Sequence, residues 1–153
     1  DFLAVGLGEA TSPGRLQLVG IAPTVIVDAA HNPHGARALA AALGEFFDFD
    51  EWALVLGVLG DKDAEGIIDA LAPVITRVFT TQPESPRASD AETLADLIEL
   101  RGVVVSAHPA SDDAMDTARR WAAEADRRAV LIAGSVVLAG EAIAYAESEG
   151  WKA

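Results

Sequence analysis

An acidic residue and a histidine stand three positions apart where a β-branched run of the sequence ends. The run is Val25-Ile26-Val27, and Asp28, His31, Asn32 and Pro33 follow it. A carboxylate here can accept hydrogen bonds from ribose hydroxyls, and an imidazole can donate to a phosphate or a carboxylate. Asn32 before Pro33 is typical of a helix start, so we expect the asparagine to act mainly as a cap. Because open α/β sheets bind ligands at the carboxyl ends of their strands, the pattern predicts a ligand site here.

Four further polar residues stand in turns or at a helix start, where they could reach the same ligand. Arg15 follows Pro13-Gly14 in a turn that could present its guanidinium to a phosphate, although an ordinary surface arginine would look the same. Ser135 opens the last predicted helix and is either an anion site or a plain cap. Lys62 and Arg87 lie in loops after two other predicted strands, and each either contacts substrate or only orders its own loop.

The remaining polar and aromatic residues are expected to be structural. His34 and His108 have no partner that the sequence reveals, and the three tryptophans lie on predicted strands or helices. We therefore expect packing rather than a ligand cage, and solvated faces for the acids of the helices.

Short β-branched runs alternate with amphipathic segments along the chain. The predicted strands are 16–19, 24–28, 52–56, 77–81, 103–106 and 129–133, and the predicted helices are 33–47, 63–71, 90–100, 111–125 and 136–149. The first two strands are close enough to form an antiparallel hairpin. The order predicts a Rossmann-like α/β domain of three αβα layers, with a six-stranded, mainly parallel sheet and one antiparallel edge strand. Residues 1–12 are patternless and predict a linker remnant, and residues 13–153 the domain.

Composition excludes several classes of function. The chain has 153 residues, a net charge of −13 and no cysteine, so disulfides and thiolate metal sites are absent. The acidity disfavours nucleic acid as a partner, and no apolar run is long enough for a membrane span. With no signal peptide in view, we expect a cytoplasmic protein.

The absence of several sequence motifs further limits the reactions that we expect of this chain. The sequence has no G-x-x-x-x-G-K-[ST] loop, no G-x-G-x-x-G after the first strand and no metal-ligand spacing. We therefore expect no metal site in this chain and no phosphoryl transfer by this chain alone.

The order of several short motifs resembles that of one enzyme family. The motifs are Pro13-Gly14-Arg15, the segment 28–33, Asp61-Lys62-Asp63, Pro86-Arg87-Ala88 and Gly134-Ser135. Together they resemble the carboxy-terminal domain of folylpolyglutamate synthase and dihydrofolate synthase, within the Mur ligase superfamily. Ala29 and Ser12 depart from the family pattern without removing a polar group.

The resemblance implies an ATP-dependent ligase that adds L-glutamate to dihydropteroate or reduced folates through an acyl phosphate. It implies that an amino-terminal ATPase domain holds Mg²⁺, and that this chain alone is inactive. Arg15, Asp28 and His31 would bind ATP, His31 would also be catalytic, and His31 and Ser135 would contact glutamate. The resemblance leaves Lys62 and Arg87 as substrate contacts without a firm role. All these groups should then share one rim of the molecule.

Two readings from other classes stay open beside the ligase. A stand-alone nucleotide-binding or receiver-like module would need an acidic pair beside its phosphoacceptor and a lysine after the last strand. The last predicted strand is followed by Gly134-Ser135 instead. A dinucleotide dehydrogenase fragment is disfavoured by the missing glycine fingerprint.

Overall fold

Six strands and five helices alternate in the computed structural model, which describes residues 15–151. The strands are β1 (Gln17–Gly20), β2 (Thr24–Val27), β3 (Glu51–Leu56), β4 (Arg77–Thr80), β5 (Val104–Ala107) and β6 (Arg128–Ala133). The helices are α1 (Pro33–Phe46), α2 (Ala64–Leu71), α3 (Ala91–Glu99), α4 (Ser111–Ala123) and α5 (Val136–Glu149), with a 3₁₀ turn at Ala72–Val74. The expected linker at 1–12, and Pro13 and Gly14 of the first motif, lie outside the described residues.

The strands form one sheet in the order β1-β2-β6-β3-β4-β5. β1 pairs antiparallel with β2, and every other pair is parallel. The predicted sheet with one antiparallel edge strand is therefore confirmed. The last strand in the sequence lies in the middle of the sheet, between β2 and β3, where it pairs with both over most of its length.

Helices cover both faces of the sheet, which confirms the three predicted layers. One face carries α1, α2 and α3, whose buried side chains include Leu39, Ile68 and Ile98. The other face carries α4 and α5, where alanines such as Ala118 and Ala142 let the helices approach the sheet closely. Alternate residues of the central strands supply the two cores, because successive side chains of a strand point to opposite faces.

β6 is followed by a helix on the opposite face from the helices that follow its two neighbours, β2 and β3. The helices after these strands therefore lie on different faces of the sheet, which leaves a crevice at the carboxyl ends of β2, β6 and β3. This is the switch point at which open α/β sheets bind ligands.

The ends of the predicted elements shift by one or two residues for identifiable reasons. Asp63 and Asp90 were placed inside helices, but their carboxylates accept from the N–H of Gly66 and Thr93, so each is the cap that precedes its helix. α4 ends at Ala123 rather than at residue 125. The Glu124 N–H bonds back to the Trp121 carbonyl at 3.2 Å and tightens the last turn.

Aromatic side chains pack within the layers, as expected. Trp52 is buried with its ring against the edges of Phe47 and Phe49. Trp121 and Trp151 lie beneath the guanidinium groups of Arg128 and Arg119. Within residues 15–151, no helix combines the length and apolar character that crossing a membrane would need.

Candidate functional site

Asp28 follows β2 and ties two segments of backbone together. Its Oδ1 accepts the N–H of Leu16 at 2.9 Å, and its Oδ2 accepts the N–H of Ala30 at 2.9 Å. Leu16 has a left-handed φ of 44°, so the carboxylate holds the turn next to Arg15 in an unusual conformation. Burial raises the pKa of Asp28, although the two N–H donors and the charge of Arg15 oppose that rise.

Each carboxylate oxygen of Asp28 retains capacity for a further hydrogen bond, because an ionised carboxylate has about four lone-pair sites. The group can therefore anchor the backbone and still accept hydroxyl hydrogens from a ligand.

His31 is oriented by its own loop. Its Nδ1 lies 3.0 Å from the carbonyl oxygen of Ala29. Because a carbonyl oxygen only accepts, Nδ1 must carry the hydrogen, which leaves Nε2 as the nitrogen available to a ligand. Asn32 caps α1 as expected, with its Oδ1 accepting the N–H of Gly35 at 2.7 Å.

The loop after β6 meets the loops after β2 and β3. The N–H of Gly134 donates to the carbonyl oxygen of Ala30 at 3.0 Å. Gly134 has a φ of 116°, and a Cβ at this position would collide with the carbonyl oxygen of Gly57. Only glycine combines this φ with so close a contact, so the three loops converge at a position that tolerates no side chain.

Ser135 is buried and caps α5, its Oγ accepting the N–H of Leu138 at 3.2 Å. The serine therefore acts as the expected cap. Its hydroxyl hydrogen is still available to donate, since a hydroxyl both accepts and donates.

Lys62 and Arg87 lie on two loops that pair with each other. The N–H of Gly60 donates to the carbonyl oxygen of Arg87 at 2.6 Å, and the N–H of Ser89 donates to that of Val58 at 2.8 Å. The Arg87 guanidinium is 3.7 Å from Asp61, and both side chains are exposed. The loop containing Lys62 orders itself through backbone bonds, while the side chain of Lys62 forms no ion pair with any residue from 15 to 151.

Two adjoining cavities lie against these residues. The larger is a cleft of about 500 Å³ whose lining includes Arg15, Asp28, His31 and Val136. The smaller is a pocket of about 160 Å³ whose lining includes His31, Lys62, Arg87, Ser135 and Val136. His31 and Val136 line both cavities, so the structure brings all six predicted site residues to one rim, as expected.

Some lining residues were missed by the sequence analysis. His34, expected to be only structural, lines the larger cleft with Ala38 and Ala42 of α1. Its position three residues after His31, near one helical turn, was a usable signal. Val136 gave no signal, since an exposed valine at the start of a helix has no distinctive neighbours in sequence.

The described residues contain no group of three or more histidine, aspartate or glutamate side chains placed to hold a metal ion. The rim can therefore offer cations, an imidazole, one hydroxyl and one half-buried carboxylate to a ligand.

The model of the family named "Mur ligase, glutamate ligase domain" matches residues 14–136. The chain belongs to this family. A dihydrofolate synthase/folylpolyglutamate synthase of Mycobacterium tuberculosis is 43% identical over 155 residues, covering 93% of this chain and 32% of that protein. This chain thus spans about a third of the length of that relative. The resemblance to the carboxy-terminal domain of folylpolyglutamate synthase is confirmed by these matches.

Solved structures agree with the family match. The Mycobacterium tuberculosis folylpolyglutamate synthase complexed with ADP superposes with a TM-score of 0.85 at 46% identity, over 89% of this chain and 32% of that chain. A bifunctional folylpolyglutamate synthase/dihydrofolate synthase with Mn, AMPPNP and L-glutamate bound gives a TM-score of 0.74 at 31% identity, over 89% of this chain and 32% of that chain.

Proposed function

We propose that this domain forms one wall of the active site of an ATP-dependent ligase that adds L-glutamate to dihydropteroate or to reduced folates. The observation that carries the proposal is the shared lining of the two cavities. His31 connects a cleft bearing Arg15 and Asp28 with a pocket bearing Lys62, Arg87 and Ser135. An anionic nucleotide and an anionic amino acid bound there would meet at the imidazole.

The larger cleft suits the nucleotide. Asp28 would accept hydrogen bonds from the ribose hydroxyls, and Arg15 would contact the terminal phosphates through its planar guanidinium. This assignment is supported by the relatives solved with ADP and with AMPPNP.

The smaller pocket suits an amino acid with two carboxylates. Lys62 and Arg87 contribute two cationic side chains to its lining, and Ser135 adds a hydroxyl donor. In a chain with a net charge of −13, such a group of cations favours a dicarboxylate over a neutral amino acid. The relative solved with L-glutamate supports this choice.

The chemistry would take two steps. A carboxylate of the folate attacks the terminal phosphorus of ATP, so that an acyl phosphate forms and ADP leaves. The amine of glutamate then attacks the acyl carbon, the C–O bond to phosphate breaks, and the amine loses a proton. We assign His31 to this reaction centre, because its Nε2 can accept that proton.

A second domain must supply what these residues lack. We assign the Mg²⁺ ligands and the phosphate-binding loop to an amino-terminal ATPase domain preceding residues 13–153, with 1–12 as the linker, because residues 15–151 contain no cluster of three or more histidine, aspartate or glutamate side chains placed to hold a metal ion. Closure of the two domains would exclude water from the acyl phosphate. We also infer a cytoplasmic location, where ATP is available and a protein without cysteine loses no stabilising disulfide.

The test separates the two cavities in the complete ligase. Lys62→Met removes one cation of the smaller pocket while keeping an apolar stem. We expect the KM for glutamate to rise about tenfold with little change in the KM for ATP, because a single charged contact is worth roughly that factor. Ser135→Ala should act in the same direction and lower Tm by a few degrees through the lost cap, while Ser148→Ala on the same helix should change neither KM.

Two outcomes would count against the proposal. A rise in the KM for ATP alone with Lys62→Met would place the nucleotide in the smaller pocket. Sustained ADP release by the 153-residue chain alone would remove the need for a second domain. A receiver-like module gains no support, because no acidic residue is adjacent to Asp28 in the sequence and Gly134-Ser135 follows β6 where such a module needs a lysine.

A further inference from the structure

Glu141 of α5 contacts two other segments although it lies outside both cavities. Its Oε2 accepts the backbone N–H of Glu84 at 2.6 Å. Its Oε1 accepts the hydroxyl of Ser111, at the start of α4, at 3.1 Å. The acids of the helices were expected to form solvated faces, and Glu141 corrects that expectation, because its carboxylate joins three segments.

The loop that Glu141 contacts is the one that carries Arg87. Both ends of this loop are fixed: the N–H of Thr81 donates to the carbonyl oxygen of Leu56 at 2.8 Å, and the side chain of Gln82 accepts the N–H of Ala91 at 3.0 Å. Between these ends, the loop approaches α5 at Glu84. A bond from a backbone N–H to an ionised carboxylate is about twice as strong as a neutral one.

The helix that carries Glu141 also carries Ser135 at its start. Glu141 lies six positions after Ser135, which corresponds to about 9 Å along the helix axis. Ser135 and Arg87 line the same pocket from two different segments. The bond between Glu141 and Glu84 therefore joins the helix of one lining residue to the loop of the other.

We propose that Glu141 is a positioning residue that sets the distance between Arg87 and Ser135, and so tunes the pocket to the span of a dicarboxylic amino acid. This inference rests on the proposed function, since it takes the smaller pocket as the amino-acid site. Glu141 touches no substrate and acts through the backbone of the Arg87 loop. Because a shift of about 1 Å in a binding group can cost a large factor in rate or affinity, a lost tether should weaken amino-acid binding measurably.

The experiment compares variants of Glu141 and Arg87 in the complete ligase. Glu141→Ala should raise the KM for glutamate about tenfold and leave the KM for ATP unchanged, because the nucleotide cleft does not include this loop. Glu141→Gln should restore the KM for glutamate to within about threefold, since its amide oxygen can still accept the N–H of Glu84. Glu147→Ala, at an exposed position of the same helix, is the matched control and should change neither KM.

A double variant shows whether Glu141 acts through Arg87. If it does, Glu141→Ala combined with Arg87→Ala should bind glutamate no more weakly than Arg87→Ala alone. Additive effects would overturn the coupling. A fall in Tm for Glu141→Ala without a change in the KM for glutamate would show a merely structural residue and would also overturn it.

The two proposals fail in different ways. If Arg87→Ala and Lys62→Met both leave the KM for glutamate unchanged, the amino-acid site itself is misplaced. If those variants raise this KM and Glu141→Ala does not, only the positioning role is wrong.

Discussion

Arginine has different surroundings at the two ends of the parallel strands. We call the side of the sheet where these strands begin the amino edge, and the side where they end the carboxyl edge. At the amino edge, Arg128 at the start of β6 donates to Glu51 at 2.9 Å and to the carbonyl oxygen of Trp121 at 2.8 Å. Its guanidinium also lies 4.0 Å from the centre of the Trp121 ring. Arg127 contacts Asp48 and Asp50. These arginines are committed to bonds within the fold.

The cationic side chains at the carboxyl edge form few ion pairs with the residues that the structure describes. Over residues 15–151, neither Arg15 nor Lys62 forms an ion pair, and Arg87 has only Asp61 at 3.7 Å. The chain has 24 acidic residues and 11 basic ones, so carboxylates are abundant enough to pair every cation. Unpaired cations in so acidic a protein are better explained by an anionic ligand than by a role in stability.

The largest expected effect would come from removing a cation of the carboxyl edge. In the complete ligase, Arg15→Ala should lower kcat/KM for ATP about 10²- to 10³-fold, because an arginine that stabilises phosphoryl charge contributes on that order. The Tm of the variant should stay within about 2 °C of the original, since this guanidinium forms no ion pair with residues 15–151. Steady-state ADP release and a thermal melt measure the two quantities, and Arg120→Ala on α4 serves as the control.

If Arg15→Ala were as active as the original ligase, the assignment of ligand binding to the cations of the carboxyl edge would be wrong. Loss of activity together with unfolding would show instead that Arg15 is structural.

Substitutions at the amino edge should have an intermediate effect. Here the free energy of unfolding should change, while the KM values of the ligase should not. Arg128→Ala should lower the free energy of unfolding by about 2 kcal/mol, because a partly buried guanidinium loses charged hydrogen bonds and its stacking on Trp121. Arg127→Ala should cost less than Arg128→Ala, since its exposed ion pairs are screened by water. Urea denaturation of the 153-residue chain measures both, and neither variant should change the KM values of the ligase. A larger loss for Arg127→Ala than for Arg128→Ala would contradict the burial argument.

The smallest effect concerns two carboxyl groups that respond to pH with opposite sign. Burial raises the pKa of Asp28 above its ordinary 3.8, so its unfavourable contribution to stability is absent below that value and complete above the raised pKa. The hydrogen bond from Arg101 lowers the pKa of Asp69, so its favourable contribution is complete above 3.8 and is lost as the pH falls.

The measurement is the free energy of unfolding of Asp28→Asn and Asp69→Asn relative to the original chain, at about pH 3 and about pH 7. Raising the pH should shift this difference in favour of Asp28→Asn and against Asp69→Asn. Shifts of the same sign for both variants would be inconsistent with the assigned causes.

The sequence predicts local features of this molecule well and the meeting of distant segments less well. Hydrophobic period and caps locate the six strands and five α-helices of residues 15–151, and the spacing of Asp28 and His31 predicts one side of the site because both follow the same strand. That Lys62 and Arg87 share a pocket with Ser135 depends on β6 entering between β2 and β3, and no local pattern defines that strand order.

Glu141 and His108 show the same limit at the level of single side chains. Both sit among ordinary surface-type residues in the sequence, and their partners come from other segments. His108, expected to be structural, bonds to Ser106 at 2.8 Å and to Asp113 at 2.9 Å, across the end of β5 and the start of α4. Such contacts follow from how the helices are placed on the sheet, which hydrophobic periodicity leaves undetermined.

The central place of β6 has a consequence for how the protein is made. On the ribosome, β2 and β3 emerge well before residues 128–133, yet they do not pair with each other in the finished sheet. Until β6 is released, each would keep an open row of peptide groups toward the gap, which invites mispairing with other nascent chains. Completion of the sheet and convergence of its ligand loops are thus delayed until residues 128–133 have been synthesised, and a message cut short before β6 would yield a product without either.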